Sequence, residues 1–189
     1  MEKITVLMIC DRLEKGKLKV LAERHPLPAG YYIRKYRIGE EGIWAEIETA
    51  AGEFKTEKEA LDYFEKEFGP YRHEMEERCF FVIHKDSGRA IGTTTAWYND
   101  NYKGQNHGRI HWVEIHPDFQ GRKLAKPLLA TAMIYLAEHH DRAYLVSHTT
   151  RYKAINMYLD FGFKPELENN ESVRAWKMVE EILERKILD

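Results

Sequence analysis

Cysteine is nearly missing from this 189-residue chain, which carries only Cys10 and Cys79. They lie far apart, each in an apolar run, so they resemble neither a disulfide framework nor a zinc site. Both are expected as reduced, buried thiols of a cytoplasmic protein. An excess of one charge is also missing. Lys and Arg number 29 against 31 Asp and Glu, a net of −2, which lacks the basic surplus of a nucleic-acid-binding face. No apolar run approaches the ~20 residues that span a bilayer, so no membrane partner is expected. Ile4–Cys10 is at the very bottom of signal-peptide length, and the charged stretch after it has no small-residue cleavage site. We read it as a strand. Internal repeats and low-complexity segments are absent.

What remains is the composition of a packed domain, with 43% hydrophobic and 32% charged residues. One seam interrupts it. Two of the six prolines fall in His25-Pro26-Leu27-Pro28-Ala29-Gly30, a path that is extended or turning. Residues 1–29 therefore read as an N-terminal extension packed on a main domain of residues 30–189. The extension is expected to hold strands at Ile4–Cys10 and Leu18–Leu21, with Asp11–Lys17 as the turn.

Beyond the seam the spacing predicts a strand at Tyr31–Arg37 and a helix over Glu40–Ala51. A second helix follows, started by the Thr56…Glu59 capping signature and stopped at Gly69-Pro70. Strands are expected at Cys79–His84, Ala90–Tyr98 and Arg109–His116, with Asn99–Gly108 as a polar loop. A helix over Leu124–His140, a strand at Ala143–Ser147 and a helix over Arg151–Phe161 come next. The tail from Val173 is expected to begin as strand and end as helix. This order is mixed α/β, antiparallel in front and βαβ-like behind.

The stretch richest in chemistry is Val113-Glu114-Ile115-His116-Pro117-Asp118-Phe119-Gln120-Gly121-Arg122-Lys123-Leu124-Ala125. A strand runs out, a glycine turn follows, and a helix begins with Arg122, Lys123 and Lys126 beside it. A helix start offers unpaired N–H groups and a positive dipole end, which suits a phosphorylated ligand. Many α/β proteins carry such a turn and bind nothing with it. A second stretch, Ala154-Ile155-Asn156-Met157-Tyr158-Leu159-Asp160-Phe161-Gly162-Phe163, adds weight.

Together the two segments resemble the GNAT acetyltransferase family over roughly residues 31–178. The first is similar to its acyl-CoA pyrophosphate loop, Gln/Arg-x-x-Gly-x-Gly/Ala, the second to its last helix with a Tyr-x-x-x-Gly-Phe ending. Two positions depart from the pattern: Lys123 stands where a glycine is expected, and Arg151 replaces a frequent asparagine. Pro127 fits only inside the first, otherwise unpaired, helical turn or where the helix accommodates it locally. The resemblance implies a mostly antiparallel sheet with one splayed parallel strand pair, flanked by helices. It implies acetyl-CoA as cosubstrate, no metal, and direct attack by an amine. The acceptor would be a small-molecule or peptide amine. Backbone groups of Val113 and Ile115 would hold the pantetheine arm, and the amides of Gln120, Gly121, Arg122, Lys123, Leu124 and Ala125 the pyrophosphate. Arg151 would reach a CoA phosphate, and Ala154 would leave room for the cofactor.

Tyr158 is the expected proton donor to the departing thiolate, on one helical stripe with Arg151 and Ala154. Glu114 is the chosen base, with His111, His116 or a water chain as alternatives. Strict alternation sets His111 with Ile115 on one face and Glu114 with His116 on the other, unless a bulge intervenes. The acidic residues Asp62, Glu65, Glu67 and Glu74–Glu77 read first as a solvated face. A GNAT-fold acyl-CoA sensor without catalysis is the competing reading, and a basic loop that binds an acidic partner is a third. Both monomer and homodimer fit.

Overall fold

The computed structural model describes residues 2–188. The first strand, β1 (Thr5–Cys10), is followed by α1 (Lys15–Arg24), β2 (Tyr31–Lys35), α2 (Glu41–Ala50), α3 (Glu57–Phe68) and α4 (Arg72–Arg78). Next come β3 (Cys79–His84), β4 (Ala90–Tyr102), β5 (Gln105–Ile115), α5 (Ala125–His139) and β6 (Ala143–His148). The chain closes with α6 (Tyr152–Asp160), β7 (Lys164–Glu166) and α7 (Asn170–Leu183). The seven strands form one sheet in the order β2-β3-β4-β5-β6-β1-β7. Every neighbouring pair is antiparallel except β5 with β6.

Strand alternation divides the interior into two cores. Phe80 and Val82 of β3 point into a large core with Ile91, Ile110, Leu128 and Met133, under α1 and α5. Their neighbours Cys79, Phe81 and Ile83 point the other way, into an aromatic core with Trp44, Phe64 and Phe68 under α2 and α3. Trp44 packs edge-on against Phe64, Phe68 and Trp112, with ring centroids 5.3–6.2 Å apart. Truncating a buried ring of this kind to alanine costs about 3–5 kcal/mol.

Three sequence expectations are corrected. Leu18–Leu21 is helical, because Leu18, Leu21 and Ala22 make a 3–4 spacing that packs on the large core, and Lys15 pairs with Glu138 of α5 at 2.6 Å. A four-residue apolar stretch is too short to separate the two periods. Asn99–Gly108 is a hairpin arm and not a loop. Tyr102 faces Gln105 across a two-residue turn at Lys103-Gly104, both with positive φ, as a type I′ turn requires. The arm's polar residues hid it, and its anchor is Tyr102, stacked on Tyr144 at 3.8 Å. The tail from Val173 carries no strand among the described residues: Val173 lies inside α7, whose start is fixed by reciprocal Asn169–Ser172 capping. The helix α4 also escaped sequence reading, being a single short segment after Gly69-Pro70.

β1 pairs with β6 on one side and β7 on the other, so the first strand is built into the sheet. Cys10 and Cys79 are free and buried. No helix among the described residues is long and apolar enough to cross a membrane.

Candidate active site

The site begins where β5 and β6 separate. The two strands pair only at Gly108–Ala143 and Arg109–Tyr144, after which the ladder stops. Their backbones beyond that point face a gap, and Val146 in the middle of β6 is left 47% exposed. Strand edges that diverge like this offer free N–H and C=O groups to an amide-bearing chain laid between them.

On the other side of β5 a bulge resets the register. Thr93 pairs with Glu114 and Thr95 with His111, so Trp112 and Val113 together oppose Thr94. Trp112 takes a left-handed φ of 51° to make this turn. Glu114 and His111 therefore share a face, and Ile115 joins Ile110 in the large core. The strict-alternation reading is corrected by this extra residue, which sends Glu114 toward α2. Gly92, opposite Ile115, has no room for a side chain: a Cβ there would meet Ile115 Cδ1 at 2.5 Å.

The turn after β5 leads into α5. Gly121 and Lys123 both have left-handed φ, of 76° and 60°. Left-handed and right-handed residues in succession, here Lys123 and Leu124, turn N–H groups toward one point as an anion-binding nest. Leu124, the N-cap of α5, has no side-chain cap, so the first-turn amides are left to other partners. Pro127 is the third residue of α5, where its missing N–H costs no helical bond. Lysine at position 123 thus adopts the glycine-like conformation that the loop needs.

A cavity of about 1250 Å³ joins these parts. Ten of the twelve residues singled out from sequence line it: Val113, Glu114, Ile115, Gln120, Gly121, Lys123, Leu124, Ala125, Arg151 and Ala154. Arg24 and His25, at and just past the end of α1, line it as well, beside Lys126 and Lys153. Only one carboxylate, Glu114, is among the lining residues, so the cavity is cationic along most of its length and acidic at one end. The uncapped helix start, the nest and these cations fit the phosphates of an acyl-CoA, and the strand gap fits its amide-bearing arm.

Two expected residues sit elsewhere. The Arg122 side chain folds over the Phe119 ring at 4.7 Å and donates to Tyr31 Oη and the Asp118 carbonyl, away from the cavity. Tyr158 lies behind the wall, 7% exposed, edge-on to Phe163 at 6.2 Å. Burial, with Glu114 and Glu48 close by, pushes its phenol well above the usual range, while Arg151 opposes this. Asn156 points away and accepts from Arg185 at 2.7 Å.

Arg151 lines the cavity with its guanidinium engaged by the protein itself. Its guanidinium donates to Glu114 and to Glu53 at once. Burial pushes the Glu114 carboxyl up to about 8, a shift that the charge of Arg151 works against. Behind them, Glu48 of α2 is fully buried, and neither carboxylate oxygen has a partner among the described residues. Burial first, and then the charge of Glu114, pushes Glu48 well above the usual carboxylate range. Both influences favour its protonated form. Glu67, read from sequence as solvated, is instead half-buried and accepts from His111 Nε2 at 2.9 Å and Trp112 Nε1 at 3.1 Å. Burial tends to raise its carboxyl, but His111, Trp112 and Arg109 outweigh that and hold it below the usual range. Glu48, Glu53 and Glu67 were illegible as a set, because nothing in sequence spacing brings α2 and α3 over β5.

Comparison with known proteins adds an independent line. The family model for the acetyltransferase (GNAT) family matches residues 43–163. No curated protein matches the chain. Among solved structures, a GCN5-related N-acetyltransferase from Sphaerobacter thermophilus is similar over 87% of this chain and 49% of its own, at 18% identity and a TM-score of 0.64. A GNAT-family acetyltransferase from Colwellia psychrerythraea is similar over 87% and 53%, at 12% identity and TM-score 0.64. A protein of Pyrococcus horikoshii OT3 is similar over 74% and 92%, at 20% identity and TM-score 0.61. The chain thus spans about half the length of the first two and most of the third. At these identities the structures speak to the fold alone; the family match covers well over half of the sequence, and this chain belongs to the GNAT acetyltransferase family.

Proposed function

We propose that this protein is an N-acetyltransferase that uses acetyl-CoA and acetylates a primary amine by direct attack. The observation that carries the reading is the single cavity that joins a cationic, uncapped helix start to the buried carboxylate of Glu114 on β5, the strand that parts from β6 beyond Arg109. The amides of residues 120–125, with Lys123, would hold the pyrophosphate. The backbone of Val113 and Ile115 would hold the arm in the gap, and Ala154 leaves space beside it. Acetyl-CoA, when bound, would supply an activated acyl group, and Glu114 is the lining carboxylate that would serve the amine attacking it.

An alkylammonium has a pKa near ~10.4, so a base is needed at neutral pH. Glu114, with its carboxyl at about 8, takes that proton. The amine nitrogen then bonds to the acyl carbon as the carbon–sulfur bond breaks. Tyr158, kept protonated by burial one helical turn from the lining Ala154, would give its proton to the leaving sulfur if its hydroxyl reaches past the lining residues, and would be restored from Glu114. The amine loses two protons in all: one ends on the thiol, and the second, shed as the amide forms, leaves through Glu114 to solvent, so atoms and charge balance.

The test is a thermal shift with acetyl-CoA and CoA, followed by a thiol-release assay on a panel of amines. Ligands that bind only the native state raise its melting temperature. A shift with product formation supports the enzyme; a shift without product from any amine favours an acyl-CoA sensor. No shift at millimolar ligand would remove the acyl-CoA reading altogether.

A further inference from the structure

Most of the acceptor side of the site is built from residues that no sequence motif singles out. Glu53 follows the end of α2, held by its N–H donating to the Glu48 carbonyl at 3.0 Å. Its carboxylate lies across from Glu114, and one guanidinium, that of Arg151, fills the space between the two. This cation from the chain itself shows what the space accepts. A third carboxyl, Glu48, is fully buried near Glu114, with both oxygens unpartnered among the described residues. Burying a carboxyl without a partner is costly, and a cation brought to this end of the cavity would lower that cost by favouring the ionised form.

An aromatic cluster adjoins Glu53 in the chain. Phe54, next to Glu53, and Tyr63 of α3 stand 5.5 and 5.4 Å from the Trp112 ring. Aromatic faces beside carboxylates favour ammonium and guanidinium groups over neutral ones.

An amine that reaches Glu114 through this space must displace Arg151, and the guanidinium then leaves Glu53 as well. Glu53 has a side chain only 26% exposed, and a partly buried carboxylate stripped of its partner is unfavourable. A second positive charge on the acceptor removes that penalty. We propose that the gap between Glu53 and Glu114 is the acceptor site, that Arg151 fills it as a removable stand-in, and that the acceptor is an amine bearing a second ammonium or guanidinium group. The reacting nitrogen sits at Glu114 and the second cation at Glu53. This inference rests on the acetyl-transfer reading above.

The experiment compares 1,4-diaminobutane with butylamine at saturating acetyl-CoA, in the wild type and in Glu53→Gln. A hydrogen bond to a charged group is strong enough to give the diamine a kcat/KM advantage of about tenfold or more. Glu53→Gln should bring that ratio close to one. Equal kcat/KM values for the two amines, or a ratio that Glu53→Gln leaves intact, would overturn the cation site while leaving acetyl transfer standing. Thermal stabilisation by acetyl-CoA with neither amine turned over overturns it as well. Absence of acetyl-CoA binding removes the proposed function first, and this inference with it.

Discussion

His111 and Glu114 face the same side of the sheet although three positions apart in one strand, because Trp112 and Val113 together oppose Thr94. The bulge gives the two side chains different fates. His111 is tied to Glu67 at 2.9 Å, and burial, its largest influence, lowers its pKa. It is engaged, neutral, and outside the cavity lining. Glu114 lines the cavity and is held up to about 8 by burial. If Glu114 is the base, it must be ionised to act, so kcat/KM should rise with pH through about 8. Glu114→Gln should lower the rate about 10²-fold and remove that limb, leaving only the ionisation of the amine. Arg151→Gln, which takes a cation from Glu114, should move the limb to higher pH. A Glu114→Gln variant with the wild-type profile would transfer the role to a water chain.

The bulge also marks the boundary of what was legible. Strands with clean apolar runs, such as Cys79–His84 and Ala143–Ser147, appear in the structure within a residue of their expected ends. So does the helix Glu40–Ala51, and Thr56 caps α3 as read, accepting from the Glu59 N–H at 3.2 Å. These features depend on neighbours three or four residues away. The glycine turn into the helix start at 120–125 was readable for the same reason. What stayed hidden depends on elements that are distant in sequence. The pairing of Arg151 with Glu53 joins residues 98 positions apart, and the burial of Glu48 depends on α2 lying across β4 and β5. The parity of Glu114 turned on one left-handed tryptophan, a residue type that gives no local signal for it.

Lys123 provides a test of backbone strain. A non-glycine residue at a φ of 60° bears a cost of about 1–2 kcal/mol relative to glycine. Lys123→Gly should recover about 1 kcal/mol, less the extra entropy that glycine loses on folding. Urea denaturation should show a midpoint equal to or above that of the wild type. Acetyl-CoA affinity should fall only a few-fold, from the loss of one cation, since the amide stays in place. A strongly destabilised Lys123→Gly would mean that the side chain, and not the turn, matters at this position.

Glu48 links the site to stability through pH. Its carboxyl ionises near the ordinary 4.5 when unfolded and well above that when folded. Between those two points the folded state binds more protons than the unfolded, so this group's contribution to stability falls as pH rises. Glu48→Gln removes the titration. The variant's stability relative to wild type should therefore increase with pH, by up to about 1.4 kcal/mol per unit while the folded carboxyl remains protonated. Urea melts at pH 6, 7, 8 and 9 read this directly. Parallel curves for the two proteins would mean that Glu48 is ionised or solvated in the folded state.

Tyr158 distinguishes assisted from unassisted departure of the thiol. It is buried against Phe163, so Tyr158→Phe keeps the ring contact and removes only the hydroxyl. A positioned proton donor contributes about 10²-fold or more. The variant should lose roughly that much in kcat, while KM for acetyl-CoA changes little, because the ring does not line the cavity. The phenol's raised pKa, from burial and the nearby Glu114, means that no alkaline limb from Tyr158 should appear in the wild type below pH 10. A thiolate with a pKa near ~8.5 can also leave without help. If kcat is unchanged in Tyr158→Phe, departure is unassisted and the tyrosine serves packing alone. If kcat falls together with a matching rise in KM, the hydroxyl acts on binding and not on the chemical step.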